Sequence, residues 1–142
     1  MILRKQGEVK IKYFKKKAST AIPLGAIVAL DSDGYLIPAT ASTTTHIGVC
    51  KEVIATTDSD YSSTRKVMVD IGNPTDVWEA EVSAGTVAQT AIGAFYDLNS
   101  TGDKVDLSAT SVKAVYVVDI NTAKGTVDIQ INSLASVDET GA

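Results

Sequence analysis

The sequence predicts an all-β protein: a small β-barrel or β-sandwich with at most one short helix. Three observations predict it. Val, Ile and Thr together account for 44 of the 142 residues, against seven Leu; β-branched side chains fit a pleated surface and lose rotamer freedom in a helix. The apolar runs are short and separated by Gly, Pro, Asn and Asp, which punctuate strands. The third is a repeat at an offset of 68 residues. Leu24-Gly25-Ala26-Ile27-Val28-Ala29-Leu30-Asp31-Ser32-Asp33-Gly34 aligns with Ile92-Gly93-Ala94-Phe95-Tyr96-Asp97-Leu98-Asn99-Ser100-Thr101-Gly102, and five of the eleven positions are identical. Each half then reads hairpin, strand, loop, strand, in units of about 22–82 and 90–132, and two such halves can complete one barrel or sandwich.

Taken in order, residues 8–14 alternate charged and apolar side chains. Val9, Ile11 and Tyr13 are expected on one buried face, with Lys10 and Lys12 on the other. Residues 24–30 and 35–37 form a hairpin around Asp31-Ser32-Asp33-Gly34. Residues 46–54, 65–71 and 77–82 read as strands, broken by the polar loop 56–64 and by Gly72-Asn73-Pro74. Residues 86–92 fit a strand or one short helix, and the helix is placed there. Strands follow at 94–98, 104–107, 113–120 and 125–132. Residues 133–142 are polar and acidic and are expected to be a flexible tail.

Charge divides the chain. Within residues 1–17, Arg4, Lys5, Lys10, Lys12, Lys15, Lys16 and Lys17 are basic and only Glu8 is acidic; the remaining 125 residues hold six basic and sixteen acidic side chains. A basic arm on an acidic body reaches an acidic partner free of the body's repulsion. Residues 1–17 are therefore expected to be an attachment arm, mobile until bound, ahead of a β-rich domain at 18–132. Nucleic acid would need a basic face on the body as well, and it has none, so none is expected as a partner. No run approaches the roughly 20 apolar residues that span a bilayer. Arg4 and Lys5 lack the apolar stretch of a secretory signal behind them. One cysteine excludes an internal disulfide framework and fits folding in a reducing host cytoplasm.

Catalytic chemistry has little to work with. His46 is the sole histidine, and nothing near it resembles a nucleophile elbow. Cys50 lies in an apolar strand, about 13 Å from His46 at strand rise. The carboxylates pair as Asp31/Asp33, Asp58/Asp60 and Glu79/Glu81, which reads as solvated faces and turns. Asp31-Ser32-Asp33-Gly34 starts like a calcium loop but lacks the later ligands. Trp78 reads as a core or subunit-interface residue. No enzyme activity, cofactor or metal is expected.

Residues 22–82 resemble the head decoration (capsid-stabilising, cement) proteins of tailed bacteriophages, including the lambda type. The resemblance is carried by the basic arm, Ile22-Pro23-Leu24-Gly25-Ala26-Ile27-Val28, the Asp31-Ser32-Asp33-Gly34 turn, Tyr35-Leu36-Ile37-Pro38 and Thr45-His46-Ile47-Gly48-Val49. The second half is similar to related cement proteins through Ile92-Gly93-Ala94-Phe95-Tyr96-Asp97-Leu98, Lys104-Val105-Asp106-Leu107 and Val127-Asp128-Ile129-Gln130-Ile131. The chain is longer than the lambda type, and its doubled hairpin departs from it. The resemblance implies a virion protein, often a homotrimer, on the outer surface of an expanded capsid. It would bind the major capsid protein and stabilise the shell against internal DNA pressure, its arm adding to a sheet on the capsid. The expected capsid-binding residues are Arg4, Lys5, Val9, Lys10, Ile11, Lys12, Tyr13, Lys15, Lys16 and Lys17. The alternative is a phage tail or head-fibre β-module that binds a glycan.

Overall fold

Short β-branched runs bounded by turn residues fold into strands and little else. The computed structural model describes residues 1–132 and residue 134. Among them are eleven strands and a three-residue 3-10 turn, Gln89–Ala91, within the stretch expected to be a short helix. The strands are β1 (Ile2–Gln6), β2 (Ile11–Lys15), β3 (Ile27–Leu30), β4 (Leu36–Pro38), β5 (Gly48–Cys50), β6 (Lys66–Ile71), β7 (Val77–Ala84), β8 (Phe95–Leu98), β9 (Val105–Asp106), β10 (Val115–Asn121) and β11 (Thr126–Ile131).

Two closed rings result. The first runs β2-β6-β5-β3-β4 through antiparallel pairs. It closes where Lys16 bridges Leu36 in parallel, with the Lys17 N–H donating to the Leu36 carbonyl at 3.0 Å. The second runs β7-β11-β10-β8-β9 and closes through the parallel β7–β9 pair, Val82 opposite Val105. Closure leaves each ring without a conventional sheet edge along most of its girth. β1 stands outside the second ring, antiparallel to the first half of β7, from Ile2 opposite Ala80 to Gln6 opposite Val77.

The rings share one topology: β2 to β6 take the places of β7 to β11, including the parallel closure. The likeness reaches single hydrogen bonds. Gly25 N–H donates to the Cys50 carbonyl at 3.0 Å, as Gly93 does to Val117 at 2.9 Å. Cys50 N–H donates to Ala26 at 2.8 Å, as Val117 does to Ala94 at 3.0 Å. The topological units are residues 11–71 and 77–131. They differ from the sequence-derived 22–82 and 90–132 because each ring opens with a strand that precedes its hairpin.

Each barrel fills its interior with side chains from alternate strand positions. Ile22, Val28, Leu36, Ile54, Val67 and Val69 close the first. Ala80, Leu98, Val115, Val117, Val127 and Ile129 fill the second, in a cluster that also takes in Ile2, Ile27, Ala39 and Val49. The second core therefore extends across the contact with the outside of the first barrel. The 99–102 turn of the second barrel sits in that contact. Ile27 N–H donates to the Gly102 carbonyl at 2.8 Å, and a Cβ on Gly102, whose φ is +77°, would lie 2.6 Å from the Ala39 carbonyl oxygen.

The N-terminal segment departs from the expected free arm. β1 and β2 are paired into both barrels, so residues 1–17 are part of the folded body. The expected tail lies outside the described residues, apart from Leu134, which bridges His46 in parallel.

Candidate functional site

Seven positive charges on seventeen residues pull toward whatever carboxylates the fold brings near. Arg4 of β1 meets two. Its Nε and Nη2 donate to Asp70 of β6 at 2.9 and 2.8 Å, its Nη1 to Asp76 of the β6–β7 linker at 2.6 Å. The guanidinium also lies over the Trp78 ring, 4.3 Å from its centroid. This fork matches guanidinium geometry and joins β1, both barrels and the linker at one point. The side chain is 8% exposed, and the Asp70 hydrogen bond is the largest cause holding the guanidinium pKa above its ordinary value. Lys5 is half exposed and reaches Asp128 at 2.7 Å. Lys16 is fully buried, its ammonium donating to the Tyr61 carbonyl at 2.9 Å and to that of Ser63. Arg4 and Lys16 were expected on the attachment surface; both are enclosed by the chain's own carboxylates and carbonyls.

The remaining predicted residues come together on and beside β2, with the faces reversed. Val9, Ile11 and Tyr13, expected to be buried, are exposed, Tyr13 by 52%. Lys10, Lys12 and Phe14 are half-buried, and both lysines have interaction partners. Phe14 decides the orientation: it packs against the first barrel's core, and alternation then sends Ile11 and Tyr13 outward. Lys15 and Lys17 are exposed beside them, with Lys17 Nζ 3.7 Å from Asp31.

The β2 backbone is also half used. Lys16 N–H donates to the Arg65 carbonyl at 3.0 Å and Ile71 N–H to the Lys10 carbonyl at 2.9 Å. Antiparallel alternation then directs the peptide groups of Lys12 and Phe14 to β6 and those of Ile11, Tyr13 and Lys15 away from it. Among the described residues no strand lies along that side until β4 meets the chain at the Lys16–Leu36 bridge. The corresponding half of β7 is covered by β1. Among the described residues, β2 thus presents an open edge at Ile11 and Tyr13, bearing exposed apolar side chains and flanked by lysines, the combination that accepts an added strand.

The other candidates form no reactive set. His46 is buried, its Nδ1 3.3 Å from the Asn132 carbonyl; Nε2 has no hydrogen-bond partner among the described residues. Desolvation pushes its pKa below the ordinary value, against the Asn132 and Thr43 carbonyls, which favour the cation. Burial pushes the Cys50 thiol up, and its Sγ donates to the Glu52 carbonyl at 3.1 Å. That is a packed thiol, not an activated one. Asp31 accepts the Asp33 and Tyr35 N–H groups at 2.9 Å, Asp58 that of Ala55 at 2.9 Å, and Asp60 pairs with Arg65. Glu79 takes Lys124 at 3.0 Å, and Glu81 the chain's amino terminus. Among the described residues no group of three His, Cys, Asp or Glu side chains is placed to hold a metal ion, and no helix is long and apolar enough to cross a membrane.

One feature carried no signal in the sequence. Phe95 and Tyr116, with ring centroids 4.9 Å apart, line a 500 Å³ cleft with Pro74, Gln130, Asn132 and Leu134. Its walls come from four separated stretches, and only the β8–β10 register unites the rings. No known protein-family profile matches the chain, and no curated protein does.

Proposed function

We propose that this chain is a non-enzymatic virion structural protein that binds the outer surface of an expanded phage capsid, through the major capsid protein, and stabilises the shell against packaged DNA. The single observation that carries the reading is the open β2 edge. Val9, Ile11 and Tyr13 spread apolar surface on an acidic protein, and Lys15 and Lys17 flank them. Apolar side chains exposed on a strand with free peptide groups favour a partner that supplies a strand. The flanking lysines favour an acidic one. Attachment then differs from a disordered arm adding itself to the capsid: the partner's extended segment adds to this chain. Several copies self-associated, as in the trimers that the resemblance implies, would clamp neighbouring subunits, and avidity would make modest contacts long-lived.

The test is co-sedimentation with expanded shells of the same phage's major capsid protein. Tyr13→Pro removes an N–H that points away from β6, so it blocks the edge without breaking the β2–β6 ladder. It should abolish co-sedimentation while leaving the melting curve near wild type. Lys15→Gln with Lys17→Gln should slow association and flatten its salt dependence. Binding by Tyr13→Pro at wild-type strength would refute the reading. A second reading, a glycan-binding tail or head-fibre module, is favoured by the Phe95–Tyr116 cleft with its Gln130 and Asn132 amides. Glycan binding lost in Tyr116→Ala, without capsid binding, would select it.

A further inference from the structure

The two barrels of one chain meet through unlike surfaces. The second barrel contributes its 99–102 turn; the first contributes a patch on its outer side containing Ile27, Val49 and Asp70, all buried. Among the described residues, a contact between unlike surfaces leaves one half of each kind unused, because each barrel owns both. The unused halves can be read off the shared topology. Ile27 pairs with Val49 in the first barrel as Phe95 pairs with Tyr116 in the second, and Asp70 and Gly72 correspond to Gln130 and Asn132. Those second-barrel residues line the open cleft, and Phe95 is 39% exposed.

The unused turn is 31–34. It repeats the build of 99–102: Gly34 N–H donates to the Asp31 carbonyl at 3.0 Å as Gly102 does to Asn99 at 3.4 Å, and both glycines have positive φ. Gly102 is pressed against the Ile27 and Ala39 carbonyls, whereas Gly34 has nothing within 4 Å. The glycine stands in both turns, but only one uses its missing Cβ for a close approach.

We propose that a second copy of this chain continues the stacking, its 31–34 turn seated in the Phe95–Tyr116 cleft as the 99–102 turn sits on Ile27. The Phe95 N–H would take the Gly34 carbonyl of the incoming copy, as Ile27 takes Gly102. Asp33 would arrive at a rim formed by Asn132 and the exposed Lys113, to whose carbonyl the Asn132 amide donates at 3.0 Å. The contact is head-to-tail, so it closes into a ring or propagates. It concerns the free protein and does not depend on the capsid reading.

Sedimentation equilibrium of the full chain, from micromolar to millimolar, tests it with two variants. Phe95→Asp disables the cleft. Gly34→Ala disables the turn, because its Cβ would meet the second-barrel counterparts of the carbonyls that Gly102 approaches in the first. The wild-type chain should assemble beyond a dimer, and each variant alone should be monomeric with a wild-type-like circular dichroism spectrum. An equimolar mixture should give a one-to-one dimer and nothing larger, since only one intact turn and one intact cleft remain to meet. Tyr116→Lys replaces Phe95→Asp should that variant fail to fold. A wild-type monomer at millimolar concentration overturns the proposal. In that event a Phe95 amide protected from hydrogen exchange assigns the cleft to the chain's own last residues, and an unprotected one to a partner of another kind. Assembly unaffected by both variants, or a mixture that stays monomeric, overturns it equally.

Discussion

Arg4 and Lys5 are adjacent, both basic, and both bonded to aspartate, yet burial separates their roles. Arg4 satisfies two nearly inaccessible carboxylates, Asp70 and Asp76. Removing it leaves both with backbone N–H donors but without the guanidinium that neutralises them, and breaking a buried pair from one side costs about 3–5 kcal/mol. Lys5 is half exposed, and solvent screens a pair of that kind until it contributes little to stability. Urea unfolding should therefore show Arg4→Ala losing several kcal/mol and Lys5→Ala almost nothing; equal losses would remove Arg4 from its place as the clasp between the barrels. His46 adds a pH dependence. Its pKa is lowered in the folded chain, so between the folded value and the unfolded value near 6.5 the unfolded state binds more protons. Stability is full above that window and falls as pH drops through it. Relative to its own value at pH 7.5, wild-type stability at pH 5.5 should drop more than that of His46→Gln. Identical pH profiles would mean that the imidazole is not held neutral.

At the scale of the strands, local chemistry made some elements legible and hid others. The 24–37 hairpin was legible because apolar runs flank a turn of Asp, Ser and Gly, its counterpart because it repeats that pattern, and β6 and β11 because Val67, Val69 and Ile71, and Val127, Ile129 and Ile131, fall at alternate positions. β1 was not. Ile2-Leu3-Arg4-Lys5-Gln6 has no clear alternation, and what fixes it is an arginine whose partners lie 66 and 72 residues away. β2 is legible as a strand, but its local pattern points to the wrong inward face. Three apolar residues at Val9, Ile11 and Tyr13 outnumber Phe14, yet Phe14 and the buried Lys16 face inward. Nothing local reports that the Tyr61 and Ser63 carbonyls can satisfy an enclosed ammonium. Nor was the Phe95–Tyr116 cleft legible. The orientation of β2 yields a test opposite to the sequence-based expectation: Ile11→Asp should change stability by no more than about 0.5 kcal/mol, as exposed sites do. Phe14→Ala, half-buried, should cost about 1–3 kcal/mol, below the 3–5 of a full core phenylalanine. Chemical denaturation of the two variants would decide, and the reverse order would restore the face read from the sequence.

For the molecule as a whole, the question is whether two barrels of one topology behave as two domains. Their cores are not equivalent. The first barrel's interior cluster is its own, whereas the second barrel's cluster runs on through Ile27, Ala39 and Val49 into the outside of the first. β1 adds a covalent crossing, since it pairs with β7 while its neighbour β2 closes the first ring. Opening the contact would expose Ile2, Ile27 and Val49, worth about 1.5–3 kcal/mol each, and would separate Arg4 from part of its partners. That is a large share of the 5–15 kcal/mol a domain of this size usually has, so neither barrel should survive the loss of the other. Trp78, the only tryptophan, lies at the junction under Arg4 and reports on it directly. Trp78 fluorescence and far-ultraviolet circular dichroism should therefore give coincident urea transitions for the wild-type chain. Gly102→Ala aims at the same contact. Its Cβ would press on the Ala39 and Ile27 carbonyls, which are backbone and cannot swing aside. The left-handed backbone alone costs about 1–2 kcal/mol for an L-residue, so this variant should lose more than that. Gly34→Ala, with the same backbone and open space around it, should lose only that much when measured at dilution. A wild-type fluorescence transition that precedes the dichroism change would mean that the junction opens first and that the barrels are independent folding units.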